Sequence, residues 1–433
     1  MTFWKSLFTG FIVLSMSLFC SAPVLGQPLY PLLERLVLEH DLIEAGQFRE
    51  KAAQSALRQA RAERYPHLEA LTNLGREHID YPDDRSSTTE TRHLQSLRAS
   101  QLLFDFGKSG ADIDRARSGV DLAGQRLVST RQNLILQGIS AYLNVYSHWE
   151  RVRLARESEQ RITELTGLEE TLVARQAGLA TDVLQAKSQL AGARSVRVRA
   201  EGQLANARNR FRAVFGFDLT DEQIENMLRP ERPVEHLPVT LDRALGIAVE
   251  KSVDLLMAER GIEITSHELR FRQSAYYPDL HLVGEVKHRR NDAGARGSRK
   301  EALGMVELTW DIFSGGRKMA AVDETRHNLK ALEKERDDLE RMVLERVEVA
   351  WENLLTAREN ARYLKDQADI LEEFLELAKR ERRMGTRSLL DVLSGEINYL
   401  NALSNAIAAD IDQDLAIYNM LFAMGLLELD ALR

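Results

Sequence analysis

The chain has 433 residues, 44% of them hydrophobic and 29% charged, and a formal net charge of −8. That balance offers no basic surface for nucleic acid, and the length allows two or three ordinary domains. With Cys20 as the single cysteine, no intrachain disulfide can form.

At the N-terminus, Lys5 precedes an apolar run from Leu7 to Cys20, and Val24 and Gly26 stand three and one residues before Gln27. This is the pattern of a signal peptide over 1–26. The run falls short of the roughly 20 residues of a membrane-spanning helix, and Phe19 does not suit a lipidated Cys20. Cleavage would remove Lys5 and no acid, taking the charge from −8 to −9. No later stretch is apolar for long enough to cross a membrane as a helix, so entry into a bilayer would require a barrel.

A helix is expected over 29–64, with Leu33, Leu36, Val37, Ile43, Ala52, Ala53, Ala56 and Ala60 on recurring faces. Tyr65-Pro66 ends it, because proline disfavours helix at the preceding residue and suits a strand start. Leu68, Ala70, Thr72 and Leu74 then alternate with more polar neighbours, as do Leu97, Ala99, Gln101 and Leu103 beyond a polar loop at 81–87. The two runs predict a hairpin. Phe104-Asp105-Phe106-Gly107-Lys108 leads into a long helix reaching about residue 176, with Ile135, Ile139, Tyr142, Tyr146 and Trp149 on one face. Gly178 marks the turn, a helix returns over 181–215, and Pro230, Pro233 and Pro238 make 216–240 a linker.

The plan then repeats. A helix over 241–275 is followed by Tyr277-Pro278 and by Leu280, Leu282, Gly284 and Val286 on one side of a strand. After the loop 290–294, Ala302, Gly304, Val306, Leu308, Trp310 and Ile312 form the apolar side of a fourth strand. Phe313-Ser314-Gly315-Gly316-Arg317 echoes the earlier turn. Over 316–383, Val343, Val347, Ala350, Leu354, Ala357, Ala361, Leu364, Ala368, Leu371, Leu375 and Ala378 recur at steps of four and three, a coiled-coil seam. At 1.5 Å per residue this helix is about 100 Å long, too long for a compact core. Gly385 breaks it, and a last helix spans 388–424.

The repeat period of about 210 residues is too long for a solenoid and reads as a duplication. The expected division is a signal peptide (1–26), a first repeat (27–215), an equatorial linker (216–240), a second repeat (241–424) and a short tail (425–433). The fold class is mainly α with a small β part. Four strands cannot close a barrel, so chains must pool them; two chains would give a filled barrel and three about twelve strands around a lumen. An exported structural coiled coil without a pore is the alternative reading.

Enzyme chemistry finds no support. The ten histidines form no H-E-x-x-H pattern, and His281 and His288 fall on opposite faces of their strand. Gly315-Gly316 lacks the context of a phosphate loop. No catalytic constellation, metal or cofactor is expected. Trp310, Tyr276 and Tyr277 are candidate membrane-interface anchors.

The duplicated halves, the Tyr-Pro strand starts, the Phe-Ser-Gly-Gly-Arg turn and the stretch Gly385-Thr386-Arg387-Ser388-Leu389-Leu390-Asp391-Val392-Leu393 together resemble the TolC-like outer-membrane channel-tunnel family, over essentially the whole mature chain. The resemblance implies a homotrimer with a 12-stranded barrel in the outer membrane lipid of a Gram-negative bacterium and an α-helical periplasmic tunnel. It further implies an inner-membrane transporter and a periplasmic adaptor (membrane fusion) protein as partners, in efflux or, with some preference, type I secretion. In that family the hairpins close the tunnel at its periplasmic end, around an acidic ring. Asp391 matches the ring aspartate, and Ser394 stands where a second acid occurs. Arg387 matches a basic residue tying neighbouring hairpins shut, and Arg382 sits where an aromatic partner is frequent. Asp182, in Thr181-Asp182-Val183, resembles the facing segment, although it follows Gly178 two residues sooner than expected.

Overall fold

The structure is a computed structural model that describes residues 28–80, 87–176 and 179–432. The expected signal peptide, Cys20, most of the 81–87 loop and Gly178 lie outside the described residues.

Nine α-helices and four strands are found among them: α1 (Leu29–Glu39), α2 (Asp41–Ala62), β1 (His67–Ile79), β2 (Thr88–Phe104), α3 (Lys108–Ala174), α4 (Ala180–Phe215), α5 (Asp221–Glu225), α6 (Leu241–Lys251), α7 (Val253–Ser274), β3 (Asp279–Asp292), β4 (Ala295–Thr309), α8 (Arg317–Arg383) and α9 (Leu389–Ala423). The two halves match in length: α1 and α6 have 11 residues each, α2 and α7 22, and α3 and α8 67. Both long helices start at a left-handed glycine, Gly107 with φ 91° and Gly316 with φ 85°. Glycine reaches that region without the Cβ clash other residues meet.

The expected single helices over 29–64 and 241–275 are each broken. His40 adopts an extended backbone (ψ 134°), and its Nδ1 accepts from the Leu42 N–H to start α2. Ser252 makes the matching break between α6 and α7, beside Gly425. Gly425 has φ +76°, and a Cβ there would stand 2.4 Å from the Lys251 carbonyl oxygen. The start of the expected tail is packed: Leu427 is fully buried and Leu426 packs on the main core.

Helix α3 packs along α4, and α8 along α9, while α2 and α7 lie against α3. All eleven seam positions of α8 are buried or half-buried. The largest core forms a waist around the middle of α3, where Ile135, Ile139, Tyr142 and Leu143 meet Leu33 and Leu36 of α1, Phe211 of α4, Ala244 and Ala248 of α6, and Val343 and Val347 of α8. Gly138 admits that approach, since a Cβ would come within 2.7 Å of Leu33. Burial and the Asp414 carboxylate beside it push the Tyr418 hydroxyl up to about 12.

Segment 216–240 is irregular apart from α5 and one turn of 3₁₀ helix at Val234–His236. Two arginines fasten it to α9. Arg229 Nε donates to Asp414 Oδ2 (2.8 Å), and Arg232 Nε donates to Asp414 Oδ1 (2.6 Å). The same two guanidiniums also bond Asp410. Burial opposes ionisation of Asp410, but hydrogen bonds from Arg229 and then Arg232 outweigh it and hold the carboxyl below its usual range.

The strands form one antiparallel sheet in the order β1-β2-β3-β4. The β3–β4 turn is tight, with Asp292 paired to Ala295 and positive φ at both Ala293 and Gly294. Strand β4 starts earlier than expected and ends at Thr309. Trp310 and Ile312 therefore lie beyond it, and the Trp310 indole N–H donates to the Tyr276 carbonyl at 3.0 Å. Register sorts the two faces. Leu68 lies opposite Ala99, Ala99 opposite Gly284, and Gly284 opposite Gly304. Leu97 similarly lines up with Val286, and Leu282 with Val306. These residues share one face, and Leu68, Val286, Val306 and Leu308 are each more than half exposed on it. The other face carries His67, Glu69, Arg98, Ser100, His281 and Glu307, with Arg98 and Glu307 paired at 3.0 Å. A sheet apolar on one side and ionic on the other is the wall of a membrane barrel.

Candidate functional site

The hairpin between α8 and α9 is set by its backbone. Gly385 (φ +78°) donates to the Arg382 carbonyl at 3.0 Å, and Thr386 N–H to the Glu381 carbonyl at 3.1 Å. This double bond pattern around a left-handed glycine caps the last carbonyls of α8. Ser388 then starts α9, its Oγ accepting from Asp391 N–H at 3.1 Å. Asp391 is the third residue of its helix, where a carboxylate complements the helix dipole. Asp182 is likewise the third residue of α4.

Arg387 lies inside its own hairpin. Its Nη1 donates to Glu381 Oε2 at 2.8 Å, its Nε stands 3.8 Å from Asp391 Oδ2, and its guanidinium covers the Phe374 ring at 4.9 Å. Arg382 reaches further, donating to Glu169 of α3 and, at 3.3 Å, to the Arg387 carbonyl. Of the residues expected from the sequence, the structure thus brings together Arg382, Arg387 and Asp391. Asp391 is about half exposed, Ser394 is exposed and Asp182 half-buried. Neither Ser394 nor Asp182 makes a side-chain bond to the other three.

The expected first-hairpin turn at Gly178 lies outside the described residues. The left-handed residue that ends α3 is Gln176 (φ 61°), whose N–H donates to the Val173 carbonyl at 2.9 Å as Gly385 does to Arg382. The spacing from Gln176 to Asp182 is then the same as from Gly385 to Asp391, which removes the two-residue discrepancy noted in the sequence.

Two carboxylates escaped the sequence reading. Glu169 is almost fully buried under Arg382. Glu396 of α9 is fully buried, with Arg161 Nη1 of α3 at 3.0 Å and Lys379 Nζ of α8 at 3.4 Å. Both acids fall on apolar seams: Glu169 follows Ile162 and Thr166 at steps of four and three, and Glu396 lies between Leu393 and Leu400. An acid at a seam position was the available signal. No cluster of His, Cys, Asp and Glu suited to a metal occurs among the described residues.

A one-sided apolar sheet with open edges, continued by coiled-coil hairpins with charged tips, fits one subunit of the trimeric barrel-and-tunnel channels of the outer membrane. The chain belongs to the outer membrane efflux protein family, whose model matches residues 32–216 and 244–426. This is a family of channels, not enzymes. The chain is 23% identical over 374 residues to the outer membrane efflux protein BepC of Brucella suis, covering 85% of this chain and 78% of that one. It is 24% identical over 358 residues to the alkaline protease secretion protein AprF of Pseudomonas aeruginosa, covering 81% and 72%. In fold it is similar to the outer membrane protein VceC of Vibrio cholerae, with a TM-score of 0.76, 18% identity and 92% and 96% of the two chains covered.

Proposed function

We propose that this channel is the exit duct of a type I protein secretion system, in preference to small-molecule efflux, and that it works with a periplasmic adaptor and an inner-membrane transporter. On this reading 27–215 and 241–424 are two equivalent wall segments, with 216–240 as a band around the waist. The observation that carries it is the tip constellation of Arg387, Glu381 and Asp391, beside Asp182 at the matching helical position. In a threefold assembly, copies of Asp391 and Asp182 would form an acidic constriction attracting cations, with Ser394 a turn deeper. Arg387 and Arg382 would hold the hairpins shut around it. The similarity to a protein named for alkaline protease secretion supports a protein cargo.

Single-channel conductance of the mature protein in planar bilayers tests the constriction. A small conductance that rises in Arg387→Ala identifies the latch, and an unchanged one places closure elsewhere. The cargo is tested in a channel-deleted host, where restored export of a type I substrate without restored drug tolerance supports secretion. The opposite pattern supports efflux.

A further inference from the structure

The apolar face of the sheet does not continue to its outer end. Beyond Leu74, Leu97 and Val286 the same face carries Arg76 and His78 on β1, His93 on β2, His288 and Arg290 on β3, and Lys300 on β4. Register makes these neighbours: His93 pairs with Arg290 and His288 with Lys300, while Arg76 lies opposite Thr91. Arg76, His78, His288, Arg290 and Lys300 are all exposed.

Charge is segregated by face. Glu69, Glu77, Glu90, Glu285, Glu301 and Glu307 all alternate onto the opposite side, where Glu285 meets Lys287 at 2.7 Å and Glu307 meets Arg98. On the apolar side, the paired rows from Leu308 out to Arg290 contain no acid. Among the described residues, Arg76, Arg290 and Lys300 form no ion pair. Three guanidinium or ammonium groups per chain thus face outward with no carboxylate partner among the described residues.

The two ends of the apolar band also differ. At the helix end stand aromatic rings, with Phe106 stacked on Tyr277 at 5.0 Å and in edge contact with Phe104 at 4.8 Å, and Trp310 held to Tyr276. This bears on the anchoring role expected of Trp310, Tyr276 and Tyr277. The turn end has no described aromatic residue. Between them the band runs seven residues along β3, from Leu280 to Val286, about 20 Å of strand. Aromatic rings sit at the headgroup level of a membrane interface. A ring of unpaired cations at the same depth on the other side suits phosphate.

We propose that this outward belt binds the phosphate groups of the phosphorylated glycolipid that fills the outer leaflet, with Arg76, Arg290 and Lys300 as the charge contacts and the three histidines as hydrogen-bonding neighbours. The orientation rests on the barrel reading, in which the hairpin turns face outward and the helices face the periplasm. The occupant is fixed by charge complementarity: an acid-free cationic row at headgroup depth binds an anionic lipid and repels none.

The test uses the full mature trimer in detergent, titrated with bis-phosphorylated lipid A and with its dephosphorylated form, and lipid retention read by native mass spectrometry. Wild type should retain the phosphorylated form at least about tenfold more strongly, because each surface cation adds to the attraction. The triple variant Arg76→Gln, Arg290→Gln, Lys300→Gln should lose that preference while still running as a heat-modifiable trimer. Arg76→Lys with Arg290→Lys should keep it, which separates charge recognition from a barrel defect. No preference in wild type, or an unchanged preference in the Gln variant, overturns the proposal. So does displacement of the glycolipid by equimolar phosphatidylglycerol. Conductance of the Gln variant should match wild type, so a failure here is distinguishable from a failure of the channel reading.

Discussion

Arg382, in the last turn of α8, donates to the buried carboxylate of Glu169 on α3, joining the two hairpins of one chain across 213 residues of sequence. The carboxylate is about 4% exposed, so it has no water to fall back on, while the guanidinium is about a third exposed.

Arg382→Ala should therefore cost more than its partner's loss, about 2 kcal/mol, because it strands a buried charge. Glu169→Ala leaves only a partly solvated cation and should cost less. The double variant should be more stable than Arg382→Ala alone, with a coupling of about 1–2 kcal/mol. Unfolding midpoints of the four proteins of this cycle measure it, and simple additivity would show that the contact contributes nothing.

Glu396 offers a second, sharper case, because its carboxylate is fully buried between Arg161 and Lys379. Replacing both cations with methionine should lower stability by about 3 kcal/mol. Adding Glu396→Gln should restore most of it. Thermal unfolding of the two variants decides; no rescue by the glutamine would mean that the cations matter for packing and not for charge.

Gln176 and Gly385 occupy the same left-handed step of the two hairpins. A residue with a Cβ sits there at a cost of about 1 kcal/mol. Gln176→Gly should raise the unfolding midpoint and Gly385→Gln should lower it, by similar amounts of opposite sign.

The attachment of the waist segment to α9 should depend on pH. Asp410 has its folded pKa below the usual value of 3.8, so its stabilising contribution is complete above that value and is lost as pH falls through the depressed one. Pepsin cleavage within residues 229–237 should accelerate below about pH 4. Asp410→Asn should be cleaved faster at pH 5 and show a weaker acceleration on acidification.

Much of the architecture was legible because the helices carry it in their own periodicity. The eleven seam residues of α8 could be read as a seam because Ala, Leu and Val at steps of four and three have no other economical use in a polar helix. The strand faces were legible for the same reason at period two. The breaks at His40 and Ser252 were not, since neither residue nor its neighbours is proline or glycine, and the extended backbone there is imposed by the packed waist. Gly178 drew attention because glycine marks helix ends; it lies outside the described residues, and the left-handed residue that ends α3 is Gln176, for which no local rule exists. At the tip, Arg387 and Asp391 were singled out from the sequence, but the contacts of Arg387 with Glu381 and Phe374 depend on the turn geometry. Glu169 and Glu396 look like solvated charges until the crossing of α3 with α8 and α9 places them inside.

Because β1 and β4 are both left unpaired, each chain brings two unfinished edges and becomes stable in a bilayer only when all three copies are sound. The arithmetic is unforgiving for the cell. If half of the chains carry a lesion in an edge strand, only about one trimer in eight is free of it under random assembly. A heterozygous or plasmid-borne edge mutant should consequently behave as a dominant poison, whereas a null allele, which contributes no subunit, should be recessive.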